Sequence, residues 1–212
     1  MFKNRGEAGR KLAEEILRNE DIKKLREGKV ILAIPRGGVV VGKELAQALN
    51  CPLDVLITRK IGAPGNPELG IGAVGPGGIR IIDWDLAGRV GADKNYLESK
   101  IENLKFEIGE REKKFRVGKK PLEIKDKTVI LTDDGIATGA TIEAAIAWLK
   151  SQKAKKIILA VPVAPPEVIK KLKPLVDELI CLDQPEFFAA VGQFYQEFEQ
   201  ISDNEVLELL EL

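Results

Sequence analysis

Residues 129–141 read Val-Ile-Leu-Thr-Asp-Asp-Gly-Ile-Ala-Thr-Gly-Ala-Thr, and no other stretch constrains the fold of this chain as tightly. Val129, Ile130 and Leu131 form a short β-branched and apolar run, the pattern of a parallel strand covered on both faces. Two acids, Asp133 and Asp134, follow. Gly135, Ala137, Gly139, Ala140 and Thr141 then keep the side chains small enough for a ligand to approach the backbone. From about residue 139 the apolar positions Ile142, Ala145, Ile146 and Leu149 take helical spacing. Strand, acids, small-residue loop and helix, in that order, set carboxylates beside the unpaired N–H groups of a helix start, where anions are favoured. A molecule bearing both a phosphate and vicinal hydroxyls fits that pairing, and a phosphorylated ribose is one.

The rest of the chain alternates in the same way. Helices are expected over 6–18, where Ala8, Leu12, Ile16 and Leu17 share a face, over 38–49, near 165–173, and at a closing amphipathic segment 203–212. Strands are expected at 30–34, 53–59, 156–161 and 176–182 and at the start of a strand–loop–helix over 127–150, with a hairpin of 69–74 and 79–83 around Gly75-Pro76-Gly77-Gly78. Residues 61–68 hold two prolines and two glycines and are expected to form no regular element. A long charged helix is inserted at 93–116, with an apolar seam of Leu97, Ile101, Leu104 and Ile108. That seam packs on the body of its own subunit or forms a dimer contact. The alternating order predicts one α/β domain over 1–212, three-layered, with a mostly parallel sheet flanked by helices and its core at about 28–182. Ligands of such sheets bind at the carboxyl ends of the strands, where the Pro35, Arg59 and Asp133 loops fall.

Composition removes several classes of chemistry. The chain of 212 residues has no histidine, so Ser-His-Asp or Cys-His catalysis and histidine-ligated metals are out. Any metal must be held by oxygens, which favours Mg²⁺. Lys+Arg and Asp+Glu both number 33, so no global basicity points to nucleic acid, although Lys113, Lys114, Arg116, Lys119 and Lys120 make a local basic run. No membrane-length apolar stretch and no signal-peptide start is present, and the expected place is the cytoplasm. Cys51 and Cys181, each in apolar surroundings, read as buried structural thiols.

Two further groups of residues fit an anionic ligand. Ile34-Pro35-Arg36-Gly37-Gly38 follows the first strand and offers one planar guanidinium fork, two glycines and a helix start. Arg59-Lys60 ends the next expected strand with two cations placed to clamp a polyanion. Together with residues 129–141 these motifs resemble the type I phosphoribosyltransferase family, and in their detail a subgroup of bacterial and archaeal proteins designated predicted phosphoribosyltransferases. The resemblance covers nearly the whole chain, including the tail Val191-Gly-Gln-Phe-Tyr-Gln-Glu-Phe198.

The resemblance implies transfer of the phosphoribosyl group of phosphoribosyl pyrophosphate (PRPP) to a nitrogenous base with release of pyrophosphate, assisted by Mg²⁺ carried with PRPP. Asp133 and Asp134 would hold the ribose hydroxyls and contact the metal indirectly, through those hydroxyls or water. Ala137, Thr138, Gly139, Ala140 and Thr141 would cradle the 5′-phosphate. Arg36, Gly37, Arg59 and Lys60 would hold pyrophosphate, with Lys60 counted among the catalytic residues beside the two acids. A non-proline cis peptide is expected between Pro35 and Arg36. Members are commonly dimers, so a homodimer is expected. The family's mobile loop often holds further lysines or a histidine, and residues 61–68 have neither.

The family places a variable base-binding hood in terminal segments, here about 183–212. Phe187, Phe188, Phe194, Tyr195 and Phe198 cluster there, either as a small satellite core or as a face that stacks a base, with Phe187 the candidate for stacking. Ala137 stands where hypoxanthine- and guanine-type members carry an acid, which disfavours classical 6-oxopurine salvage. The rival reading is a regulatory protein of the same fold that senses PRPP or a nucleotide. A P-loop lacks its Lys-Ser/Thr pair here, and Arg36-Gly37-Gly38 does not make a dinucleotide-binding fingerprint.

Overall fold

Residues 1–23 and 28–211 are described by a computed structural model. Five strands, β1 (Lys29–Ala33), β2 (Leu53–Val55), β6 (Thr128–Thr132), β7 (Lys156–Val163) and β8 (Glu178–Asp183), form one sheet in the order β2-β1-β6-β7-β8. Every pairing in it is parallel. The register sets Ile31 beside Ile130 and Ile130 beside Ile158, with Leu32, Leu131 and Leu159 aligned one residue on. Strand alternation sends these two rows to opposite faces. The isoleucine row packs against Leu12 and Ile16 of α1 (Arg5–Arg18) and Val41 and Leu45 of α3 (Gly37–Leu49). The leucine row packs against Ile142, Ile146 and Leu149 of α6 (Ala140–Ser151) and Val168 and Leu172 of α7 (Pro166–Leu172). Both faces are covered, which is why the strands read as continuous apolar runs. The three-layer α/β arrangement expected from the sequence is the one observed, with a short α2 (Glu20–Lys23) after α1.

Two expectations need correction. The segment 53–59 is not one strand: β2 stops at Val55, and Arg59 opens β3 (Arg59–Ala63) in a second sheet. Residues 61–68 are largely regular, because β3 turns into β4 (Asn66–Val74). Pro64 and Gly65, with Gly65 at φ 72, occupy the turn, as a type II turn wants. The register then jumps from Ala63↔Asn66 to Gly62↔Gly70, leaving Pro67 in a bulge where its missing N–H costs no ladder bond. A Cβ on Gly62 would lie 2.6 Å from the Pro67 carbonyl oxygen, so glycine permits the bulge. The expected hairpin follows as β4 with β5 (Arg80–Ile82).

This antiparallel sheet carries its own core. Leu97, Ile101, Leu104 and Ile108 of α5 (Lys94–Arg116) are buried against Ile61, Ile71 and Val74, so the seam packs within its own subunit. Val206 of α8 (Asp203–Leu210) and Ala87 of α4 (Trp84–Arg89) join the same core. Among the described residues no helix is long and apolar enough to cross a membrane. Cys51 and Cys181 are free and half-buried rather than fully buried, and burial pushes the Cys181 thiol up to about 11.

Candidate active site

The order of β1 and β6 in the sheet decides the site. They are neighbours, so the loops leaving their carboxyl ends meet. α3 starts directly after Arg36, and α6 starts after Gly139 at φ 82. Neither helix has a side-chain cap. By contrast, Asn4, Asp83, Asp93 and Ser202 cap α1, α4, α5 and α8. Two helices that begin at one edge with uncapped N–H groups make an anion-binding edge. Thr138 is therefore not spent as a cap. It is exposed, as is Ala137, while Gly139 is buried and Ala140 and Thr141 are half-buried. The peptide between Pro35 and Arg36 is cis, as the resemblance implied.

The two acids occupy different environments. Asp133 accepts a hydrogen bond from the Asp134 N–H at 2.8 Å. Burial, and then the neighbouring Asp134 carboxylate, raise the Asp133 carboxyl well above the usual carboxylate range. Asp134 is paired: Arg5 Nε donates to its Oδ2 at 2.7 Å. Gly37 makes room for that pair, since a Cβ there would overlap Asp134 Oδ2 and lie 2.7 Å from Arg5 Nε. A Cβ on Gly38 would come within 2.8 Å of the Asp133 Cα. These glycines let the β1 and β6 loops touch, a requirement separate from ligand approach.

Arg5 was not found from the sequence, where it is one of many arginines. It also donates through Nη1 to the Glu199 carbonyl at 2.8 Å and lies 3.7 Å over the Phe198 ring. The tail that supplies these groups is knitted to the chain's first residues: Phe2 N donates to Phe194 O at 2.7 Å, and Gln196 N to Phe2 O at 2.9 Å. Tyr195, buried against Phe2 and Phe198, donates its hydroxyl to the Asp134 carbonyl. Burial pushes that phenol's pKa upward. Phe188 and Phe194 pack on the same satellite core, whereas Phe187 is 89% exposed.

The expected pyrophosphate cations separate. Successive residues of a strand point to opposite faces. Lys60 turns to the hairpin, where its Nζ donates to the Glu68 carbonyl at 2.8 Å and meets the Glu68 carboxylate at 3.3 Å. Arg59 turns the other way, toward α5, with Nε 3.6 Å from Glu107. Arg36 reaches Asp203 of α8 at 3.7 Å, and Asp203 also accepts from Arg111 at 3.1 Å and Lys114 at 2.7 Å. Much of the basic run on α5 is thus neutralised at home: Lys113 pairs with Glu110, and Arg116 with the buried Asp54. Among the described residues no three His, Cys, Asp or Glu side chains gather as a metal cage.

A parallel α/β sheet whose carboxyl edge joins two uncapped helix starts, an acid pair and an arginine loop defines an α/β protein with an anion-binding edge. The phosphoribosyl transferase domain family matches residues 2–199, and this chain belongs to that family. Two Mycobacterium tuberculosis relatives, MT0597 of strain CDC 1551 and Rv0571c of strain H37Rv, both provisionally named phosphoribosyl transferases, are 37% identical over 211 residues. The alignment takes in 100% of this chain and 46% of each relative, so the chain spans about half their length. The solved structure of TT1426 from Thermus thermophilus is 40% identical, covers 99% of this chain and 97% of its own, and superposes with a TM-score of 0.80. AQ2163 from Aquifex aeolicus, at 15% identity and a TM-score of 0.52 over 96% of this chain and 81% of its own, shares the fold alone.

Proposed function

We propose that the chain catalyses transfer of a phosphoribosyl group from PRPP to a nitrogenous base. The observation that carries this reading is the meeting of Asp133 and Asp134 with the uncapped starts of α3 and α6 at one sheet edge. The 5′-phosphate docks on the N–H groups of Ala137 to Thr141, with the hydroxyls of Thr138 and Thr141 as added donors. The carboxylates take the ribose hydroxyls. Arg36 and the α3 start take the pyrophosphate, with Arg59 beside them, and Lys60 joins when the β3–β4 hairpin closes over the site. The base nitrogen gives its electron pair to the ribose C1 as the C1–O bond breaks, and pyrophosphate leaves with that pair. Cations at the leaving group and carboxylates near the positive sugar ring lower the barrier by position and charge.

The donor set suits a Mg²⁺ that arrives on PRPP: one or two carboxylates with substrate oxygens is the usual magnesium arrangement. Asp133 and Asp134 would hold it through the ribose hydroxyls or water, and it would neutralise charge on the departing pyrophosphate. Phe187 offers an exposed ring for the acceptor, and a cytoplasmic homodimer is the expected form.

The test is pyrophosphate release from Mg²⁺-PRPP across a panel of purine and pyrimidine bases, beside an Asp133→Asn/Asp134→Asn variant. Base-dependent release that the variant loses is the expected result. Binding of PRPP without release for any base would favour the sensor reading, and failure to bind PRPP at all would overturn both.

A further inference from the structure

Arg36, Arg111 and Lys114 are arranged around one carboxylate, Asp203, and Arg59 lines the same cavity as that carboxylate. Arg36 lies 3.7 Å from it, Arg111 3.1 Å and Lys114 2.7 Å. Arg59, Arg111, Lys114 and Asp203 line one open cavity of about 460 Å³ with Phe106, Glu107 and Glu110. Glu110 is engaged by Lys113, and Glu107 sits at a long 3.6 Å from Arg59. Four cations thus face the two carboxylates Asp203 and Glu107, and Arg59 Nε is buried with no hydrogen-bond partner. Burial and the charge of Arg111 both work against the Arg59 cation. A set of guanidinium forks in excess of its acids is the arrangement that takes a polyanion of phosphate type.

Asp203 is held differently from its cations. It is the first residue of α8, an eight-residue helix anchored to the body through Val206. Arg36 is fixed at the β1 loop, Arg59 at the start of β3, and Arg111 and Lys114 on the 23-residue α5. The cations stand on the sheets' own elements and on the longest helix, and the anion that pairs with three of them stands at the tip of a short one.

We propose that Arg111 and Lys114 of α5 complete the pyrophosphate subsite begun by Arg36 and Arg59, and that Asp203 occupies it as an internal stand-in which the ligand's phosphate displaces. The proposal rests on the phosphoribosyltransferase reading above. It also supplies the cations that residues 61–68 lack, from α5 rather than from a loop.

Calorimetric titration of the full chain with inorganic pyrophosphate and with Mg²⁺-PRPP tests it, using Arg111→Gln, Lys114→Gln and Asp203→Asn, each checked by urea unfolding. Loss of one charge-assisted contact should weaken both ligands roughly tenfold in either glutamine variant. Asp203→Asn removes the competitor and should tighten both about three- to tenfold. A purely structural cluster predicts lowered urea stability in all three variants with the affinity for both ligands unchanged, and that result would overturn the assignment. Wild-type affinity for both ligands in Arg111→Gln and Lys114→Gln would overturn the assignment while leaving the transferase reading standing. Tightening for pyrophosphate with PRPP unmoved would place the anion outside the reaction site and also overturn it. A wild-type chain that binds neither ligand would sink this proposal together with the transferase reading.

Discussion

Replacing Arg5 by Met keeps most of the side-chain volume and deletes its charge. Three contacts go with it: the bond to Asp134 Oδ2 at 2.7 Å, the bond to the Glu199 carbonyl at 2.8 Å, and the guanidinium 3.7 Å above Phe198. Two hydrogen bonds from a charged donor are worth about 1.5–3 kcal/mol each, and a cation over a ring roughly 0.5–2 kcal/mol. Methionine recovers apolar contact with Phe198, so the lower half of the summed range applies. The pair is only 10% and 15% exposed, and stripping one member from a buried pair costs about 3–5 kcal/mol. In a domain of this size each kcal/mol lowers Tm by about 2–4 °C, so Arg5→Met should melt roughly 10 °C below the wild type. Urea unfolding gives the free energy directly, and a cycle with Asp134→Asn isolates the pair, with an expected coupling of about 2 kcal/mol. A variant within about 1 kcal/mol of wild type, or a coupling indistinguishable from zero, would refute the conclusion that this cation holds Asp134.

Gly37→Ala puts a methyl group into Asp134 Oδ2 and against Arg5; overpacking of this kind costs about 1–3 kcal/mol, and the KM for PRPP should rise with it, whereas an unchanged KM would show that the two loops need not touch. The Asp133 carboxyl is raised by burial and by Asp134, so the native state keeps its proton longer than the unfolded chain does. Wild-type stability therefore falls as pH climbs from the ordinary carboxylate range through that raised pKa. Asp133→Asn has no proton to lose, so unfolding measured across that window should show the variant gaining on the wild type as pH rises; a constant gap would contradict it. Phe187 is 89% exposed, so Phe187→Ala should leave stability within about 0.5 kcal/mol and raise only the acceptor's KM; a KM that does not move removes this ring from the acceptor site.

What could be read from the sequence was local. Val129 to Leu131 declared a buried strand because parallel strands must be apolar on both faces, and the small residues after Asp134 declared the loop. The alternating order fixed which loops share an edge. The hairpin at 59–74 was misjudged because proline and glycine were counted without their positions: Pro64 and Gly65 belong in the turn, and Pro67 in a bulge that Gly62 allows. Arg5 and Asp203 carried no signal, and Tyr195 was legible only as one ring of the aromatic cluster, not as a partner of Asp134. Their partners lie 129, 61 and 92 residues away for the bonds to Asp134, the Asp134 carbonyl and Arg111. Nothing in the spacing of a single chain tells which of its 33 basic residues will meet a given acid. Arg59 and Lys60 were adjacent in sequence and read as one clamp, but strand geometry turns them to opposite faces.

The clamp that fixes Asp134 also sets an order of events in the life of the chain. Arg5 leaves the ribosome before the acidic loop, and Tyr195 and Glu199 leave after it. A nascent chain that has reached Asp183 already contains every strand of the parallel sheet. It does not yet contain the phenol and the carbonyl that hold Asp134 and Arg5 in place. Scaffold and acid pair therefore mature at different times, and a product truncated between those points would be a parallel sheet whose Asp134 lacks the tail groups that fix it.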